Sequence, residues 1–166
     1  MHGAEVTSRI DAAWAVLDGV LDPEVPALSV CDLGLVRELR GADDGGLEVV
    51  LTPTYSGCPA TEVISDHVRD ALDAAGLGPT RVSLRRAPAW SSDWISSEGR
   101  RKLREYGIAP PGPAGESTVH FIARGVACPR CESLQTERLS AFGSTACKSI
   151  YRCLACREPF EHFKAI

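Results

Sequence analysis

No stretch of this 166-residue chain approaches the ~20 consecutive apolar residues of a membrane-spanning helix. Its first residues, Met1-His2-Gly3-Ala4-Glu5, lack the basic-then-apolar layout of a secretory signal, and Asp11 interrupts the apolar pattern that follows. The expectation is a cytoplasmic protein without membrane attachment. There is no Gly-rich phosphate loop and no internal repeat, which removes phosphate-cradle chemistry and solenoid architectures. Excess basic charge is missing too: 18 Lys and Arg face 22 Asp and Glu, a formal net charge of −4. That balance argues against a nucleic-acid partner. The C-terminal stretch, roughly 50 residues, holds few large apolar side chains and needs a staple to fold.

Cysteine, by contrast, is plentiful. In a reducing cytosol seven cysteines read as metal ligands or reactive thiols rather than disulfides, and the odd count argues against full pairing. Four of them form Cys128-Pro129-Arg130-Cys131 and Cys153-Leu154-Ala155-Cys156, a C-x2-C-x21-C-x2-C pattern. Each C-x2-C pair makes a knuckle whose sulfurs grip one ion, and two knuckles close a tetrahedron with no position left for substrate. Thiolates favour zinc or iron–sulfur over hard cations. The expectation is a structural Zn2+ held by Cys128, Cys131, Cys153 and Cys156. Residues 119–166 carry a formal +3 against −7 for residues 1–118. Four thiolates with one zinc ion lower the +3 to about +1, weakening a nucleic-acid reading further.

Three cysteines remain. Cys147 lies in Phe142-Gly143-Ser144-Thr145-Ala146-Cys147-Lys148, where Lys148 could stabilise a thiolate, but burial statistics favour a turn cysteine packed beside the ribbon. Competition with Cys153 for the ion is disfavoured by the two complete knuckles. Cys31 has no partner at ligand spacing and reads as a small buried residue. Cys58 is different. It joins an apolar strand-like run to a strongly periodic helix, in Thr52-Pro53-Thr54-Tyr55-Ser56-Gly57-Cys58-Pro59-Ala60. Pro59 suits the first helical position, which puts Cys58 at the N-cap, amid free N–H groups and the positive end of the helix dipole. That setting favours a thiolate, a nucleophile or a metal ligand; a small buried residue in a tight turn is the competing reading.

Periodicity supplies the frame. Ile10, Ala13, Trp14, Leu17, Val20 and Leu21 recur at helical spacing within a helix expected over residues 5–20, ended by Asp22-Pro23-Glu24-Val25-Pro26. Leu33 to Arg40 alternates as a strand and Leu47 to Leu51 is an apolar strand-like run, the two flanking a Gly-rich loop as an antiparallel hairpin. Val63, Ile64, His67, Val68, Ala71 and Leu72 trace one face of a helix over residues 60–75, stopped by Gly76; His67 on that face reads as a hydrogen-bonded core residue. A third strand follows at residues 81–85. The fold class is α+β: a small α-β-β-α-β domain with helices on one face of a short mixed sheet, followed by a C-terminal zinc ribbon. The domains expected are residues 1–88, a Trp-containing helical extension with a Pro/Gly linker over residues 89–117, and a ribbon over residues 118–166. Asp22, Glu24 and Asp32 cluster in sequence and could ligate metal; Asp-Pro is equally a turn signal.

Several motifs together carry a resemblance. Asp22-Pro23-Glu24-Val25-Pro26, Ser29-Val30 with Asp32-Leu33-Gly34-Leu35-Val36, and Pro53-Thr54 with Gly57-Cys58-Pro59 are similar to the small iron–sulfur-assembly domain family that includes bacterial SufT, over about residues 5–88. Pro88-Ala89-Trp90 with Asp93-Trp94-Ile95-Ser96, Tyr106 to Pro111, Phe142 to Lys148 and Glu158-Pro159-Phe160 resemble the phenylacetate-degradation PaaD family, also called PaaJ, over nearly the full length. The resemblance implies an accessory, non-catalytic component of the multicomponent phenylacetyl-CoA oxygenase (epoxidase) of aerobic phenylacetate catabolism. Such a component would support assembly of the hydroxylase di-iron site or the reductase iron–sulfur cluster. It implies that Cys58, with Thr54, Tyr55 and Ser56 around it and Asp22 and Glu24 contributing, holds iron or a cluster transiently. The partners implied are the reductase or di-iron hydroxylase subunits, with a homodimer left open. Two alternatives stand beside it: a thioester-acting enzyme with Cys58 as nucleophile, His67 as base and Arg85 and Arg86 meeting CoA phosphates, and a nucleic-acid-binding ribbon using Phe142, Tyr151, Phe160 and Phe163.

Overall fold

The structure, a computed structural model, describes residues 2–55, 57–114 and 125–166, with side chains in the first helix described from residue 7. Ser56 and the boundary expected between residues 117 and 118 lie outside the described residues. The chain divides into two compact units, Met1–Trp90 and Ser91–Ile166. No helix among the described residues is long and apolar enough to cross a membrane.

The first unit has the α-β-β-α-β order expected: α1 (His2–Leu17), β1 (Val36–Gly41), β2 (Leu47–Leu51), α2 (Ala60–Ala74) and β3 (Thr80–Leu84). The sheet runs β1-β2-β3, with β1 antiparallel and β3 parallel to the central β2. Leu47, Val49, Val50 and Leu51 are all buried, as befits the middle strand. The hairpin loop needs a glycine at Gly46, because a Cβ there would sit 2.2 Å from the Pro79 carbonyl oxygen, which accepts the Leu47 N–H. Arg9 of α1 reaches both the hairpin and the far end of α2 by donating to the Gly45 and Leu77 carbonyls.

Three local readings change. The first helix stops at Leu17 rather than residue 20, since Gly19 and Val20 turn back onto the Val16 and Leu17 carbonyls and Leu21 bridges to Ser29. The first strand begins at Val36, not Leu33: residues 29–35 form a hydrogen-bonded turn with Gly34 at φ 66°. Its buried leucines gave the strand-like alternation. On α2 the buried stripe is Ala60, Ile64, Val68 and Leu72, one residue in four. That stripe is narrower than the sequence face, and it leaves His67 exposed rather than in the core.

The second unit opens with a 3₁₀ turn at Ser92–Trp94 and α3 (Ser97–Tyr106). Ser96 caps α3 by accepting the Gly99 N–H, and Gly107 ends it at φ 89°. Then come β4 (Ile108–Ala109), β5 (Thr136–Ser140), β6 (Lys148–Cys153) and β7 (Pro159–Phe163), in sheet order β4-β7-β6-β5. Ile108 and Ala109, expected in a linker, are instead buried and paired in parallel with Glu161 and His162. Hydrogen bonding to β7 satisfies their backbone, which Pro/Gly composition around them concealed. Arg100 donates to the Pro111 and Ser92 carbonyls, and Ser92 exchanges hydrogen bonds with Ile166, so the helical extension and the ribbon share one unit.

Trp90 closes the first unit. It is 3 % exposed, and its indole Nε1–H donates to the Leu33 carbonyl at 2.9 Å. Trp90→Phe should lower the unfolding free energy of this unit by about 1–3 kcal/mol, the cost of stripping a buried carbonyl of its donor, read from the denaturant midpoint.

Candidate metal centre and the Cys58 loop

Two turns build the four-sulfur site. In the first, the Glu132 N–H donates to the Cys128 carbonyl and the Cys128 N–H to the Ser133 carbonyl. The second starts where β6 ends at Cys153, whose N–H donates to the Glu158 carbonyl. The Leu154 N–H donates to the Gln135 carbonyl, linking the second turn to the segment after the first. All four Sγ atoms lie within 4.8 Å of one another. Cys128 and Cys156 are 3.8 Å apart, and Cys131 and Cys153 are 3.5 Å apart. A tetrahedron with metal–sulfur bonds near 2.3 Å has edges of about 3.8 Å, so the donor set fits a thiophilic tetrahedral ion.

Charge supports the fit. The Cys156 backbone N–H, 3.5 Å from the Cys153 sulfur, and the Ala155 N–H hold that thiol below its usual range, whereas the neighbouring sulfurs push Cys131 and Cys156 up. Four thiolates this close repel one another, so full ionisation requires a cation. Cys128 and Cys153 are buried while Cys131 faces solvent, so the ion is reached from one side. The cluster with Ala109 and Phe160 is the staple that the sparse apolar content demanded.

The residue after each second cysteine is left-handed: Glu132 at φ 61° and Arg157 at φ 69°. A glycine there would carry no such strain. This feature was missed in the sequence, although its position directly after each C-x2-C pair is the signal that could have found it. Cys147 stays out of the sulfur cluster; it is buried, with its Sγ 3.0 Å from the Thr145 hydroxyl. Of the aromatics considered for base stacking, Phe160 and Phe163 are buried, and Tyr151 stacks on Phe160 at 5.9 Å. Only Phe142 stands out in solvent. His162 is kept neutral by burial, its pKa lowered to about 4.

In the first unit, Cys58 lies on the loop from β2 to α2. The structure places Pro59, not Cys58, at the capping position; Pro59 already has helical dihedrals (φ −65°, ψ −24°) and offers no side-chain cap. Proline's fixed φ suits the helix entry, and the cap falls one residue later than expected. Cys58 precedes it, half-buried, its N–H donating to the Tyr55 carbonyl and its carbonyl accepting the Thr61 N–H. Gly57 before it is exposed with φ 89°. Thr54 is half-buried on the same loop.

Cys58, Asp22 and Glu24 do not come together as a ligand set. Among the described residues, the four ribbon cysteines form the one group of three or more ligand-type side chains close enough to share an ion. Asp22 is buried, and its Oδ1 accepts the Glu24 and Val25 N–H groups at 2.9 and 2.7 Å, a turn-forming role. Asp32 is likewise engaged with Ser29, accepting its N–H and donating its own N–H to the Ser29 hydroxyl. Cys31 is half-buried beside this turn; burial first, then the charges of Asp18 and Asp32, pushes its thiol up to about 12. Thr52, at the mouth of the Cys58 loop, is fully buried with no partner for its hydroxyl among the described residues. Nothing in the sequence pattern marked it.

Two protein families match this chain in succession. Residues 10–84 match the family described as iron-sulfur cluster assembly protein, and residues 113–164 match the PaaD zinc beta ribbon domain. The chain is 47% identical over 158 residues to a putative 1,2-phenylacetyl-CoA epoxidase subunit of Escherichia coli K12, covering 95% of this chain and 94% of that protein. It is 34% identical over 89 residues to an Fe-S protein maturation auxiliary factor of Porphyromonas gingivalis, covering 53% of this chain and 84% of that one. A crystal structure of a domain of unknown function from Bacillus anthracis superposes with a TM-score of 0.55 at 24% identity, over 60% of this chain and 95% of that one, a likeness of fold alone.

Two outcomes are expected at the four-sulfur site. Stripping the ion with a chelator, or Cys153→Ser, should abolish the folded ribbon, seen as lost amide protection in β5 to β7 while β1 to β3 stay protected. Glu132→Gly and Arg157→Gly should each raise the stability of the ion-loaded protein, by about 0.5–1 kcal/mol in denaturant unfolding.

Proposed function

The chain belongs to the PaaD family of 1,2-phenylacetyl-CoA epoxidase subunits, and on that premise we propose that it is an accessory component of that epoxidase, assisting assembly of the system's metal centres and not itself catalytic. The observation that carries the reading is the contrast between its two thiol sites. Four sulfurs gather closely enough in the ribbon to share one ion, whereas Cys58 is a half-buried thiol on a loop and belongs to no group of three or more ligand-type side chains among the described residues.

A closed four-thiolate cage retains its metal and suits structure, so the ribbon ion is Zn2+. A single thiolate leaves the remaining coordination positions of iron or a cluster open to the donor and to the recipient, which suits transfer by ligand exchange. Cys58 takes the cargo through its sulfur, with Thr54 on the same loop beside it. Asp22 acts indirectly, by setting the turn at residues 22–25, and Glu24 completes that turn through its N–H. The recipient is the iron–sulfur reductase or the di-iron hydroxylase, in the cytoplasm.

The test compares epoxidase components produced with the wild-type chain or with Cys58→Ala. Reductase cluster content or hydroxylase iron should fall several-fold with the variant, while zinc stays at one per chain in both forms of the anaerobically purified protein. Equal loading of both components would sink the proposal.

A further inference from the structure

The end of the ribbon where β5 turns into β6 displays two large apolar side chains, and both displays are built. Leu139 is 53 % exposed and sits where the pairing of β5 with β6 slips, between Arg138 opposite Tyr151 and Ser140 opposite Ile150. A bulge of this kind frees one residue from the ladder and re-aims its side chain. Phe142, three residues on, is 66 % exposed.

The loop that carries Phe142 is pinned at almost every residue. The Ser140 hydroxyl accepts the Phe142 N–H and donates to the Phe142 carbonyl, at 3.2 and 2.8 Å. The Gly143 N–H donates to the Lys148 carbonyl at 2.8 Å. Glu161, from β7, uses one oxygen to accept the Ser144 N–H at 2.6 Å and the other to meet the Lys148 ammonium at 3.2 Å. Lys148 is 3 % exposed and Glu161 28 %, so the lysine is buried while its carboxylate partner keeps some contact with water. A Cβ on Gly143 would fall 2.6 Å from the Glu161 carboxylate, which would have to shift to admit it. Lys164 donates to the Ala146 carbonyl at 2.8 Å and holds its ammonium 4.2 Å from the centre of the Phe142 ring.

Closing a β-hairpin needs two residues and no buried charge. Burying a lysine is costly unless it is fully engaged, and here the engaged lysine fixes a loop whose tip is an exposed aromatic ring with the Lys164 ammonium over it. Pre-ordered aromatic side chains are what anchor residues of protein interfaces look like, because the ordering cost is met before binding. The neighbouring charges indicate the partner's chemistry. Arg138 and Lys164 have no carboxylate partner among the described residues, whereas Arg130, Lys148 and Arg152 are each paired with a glutamate. Cations without a carboxylate partner beside an apolar anchor complement an acidic rim.

We propose that Phe142 and Leu139, flanked by Arg138 and Lys164, dock this chain onto a folded subunit of the epoxidase system that offers an apolar pocket rimmed by carboxylates. The inference rests on the reading of the chain as an accessory component. A single-stranded nucleic acid is the weaker fit, since stacking platforms present several aromatics and this unit buries Phe160 and Phe163.

The test measures binding of the full-length, ion-loaded protein to each purified epoxidase subunit by calorimetry. Phe142→Ala should weaken the complex at least tenfold. Lys164→Glu should weaken it several-fold and flatten its salt dependence. Val63→Ala, an exposed apolar residue on α2, should leave it unchanged. Phe142 is exposed, so the variant should keep its metal content and unfolding midpoint. Wild-type affinity in Phe142→Ala overturns the inference and leaves the accessory reading standing. So does a change confined to self-association, which puts a second copy on the patch, or one confined to binding of single-stranded nucleic acid. Binding of the wild-type protein to no epoxidase subunit overturns the accessory reading itself, and the inference with it.

Discussion

The mutual repulsion of four thiolates, and the ion that cancels it, is the constraint from which the second unit follows. Cys128, Cys131, Cys153 and Cys156 bring their sulfurs within 4.8 Å. Without a cation such a cluster cannot ionise together; with one, it substitutes for the large core that this segment lacks. The rest of the unit is arranged to hold the two turns in place. β6 ends on Cys153, β7 carries the return pairing, and β4 brings buried Ala109 against the cluster. The left-handed residues Glu132 and Arg157 are the local cost of turning the chain sharply enough after each pair.

The first unit solves a different problem. Its core is ordinary apolar packing between two helices and a three-stranded sheet, and the exposed salt bridges on its strands add little to it. What it contributes is placement. β2 runs into a loop whose Gly57 adopts φ 89°, and the following proline starts α2, leaving Cys58 half-buried between them. A thiol so placed is accessible without being committed to a cage. The two units thus place the same functional group in different settings, gathered in a cluster of four in one and outside any such cluster in the other.

Much of the fold was legible because it depends on short-range patterns. The apolar run from Leu47 to Leu51, the Gly-rich hairpin loop and the periodic run ended by Gly76 each name an element, and each is present. The failures share a cause. Leu33 and Leu35 alternate as a strand would, yet lie in a turn, because burial and not extension put leucines there. His67 fell on the apolar face of α2 in projection and is solvent-exposed, because the helix packs along a narrower line than its pattern allows. Ile108 and Ala109 were hidden by the prolines that follow, since pairing with a strand some 50 residues later leaves no trace in local composition.

By itself the sequence determined the four-cysteine ligand set, since two C-x2-C pairs are covalent spacing and need no tertiary knowledge to bite one ion. It also marked a helix start beside Pro59, although the structure puts that proline and not Cys58 at the capping position. Only the tertiary structure decided which side chains that chemistry leaves on display. Asp22 turned inward to hold its own turn, while Phe142 was raised on a loop pinned by Glu161 and Lys148. The physical reason is range. Ligand spacing and helix starts are set within a few residues, whereas burial, exposure and the pairing of a carboxylate with a lysine 13 positions away are set by how distant strands meet.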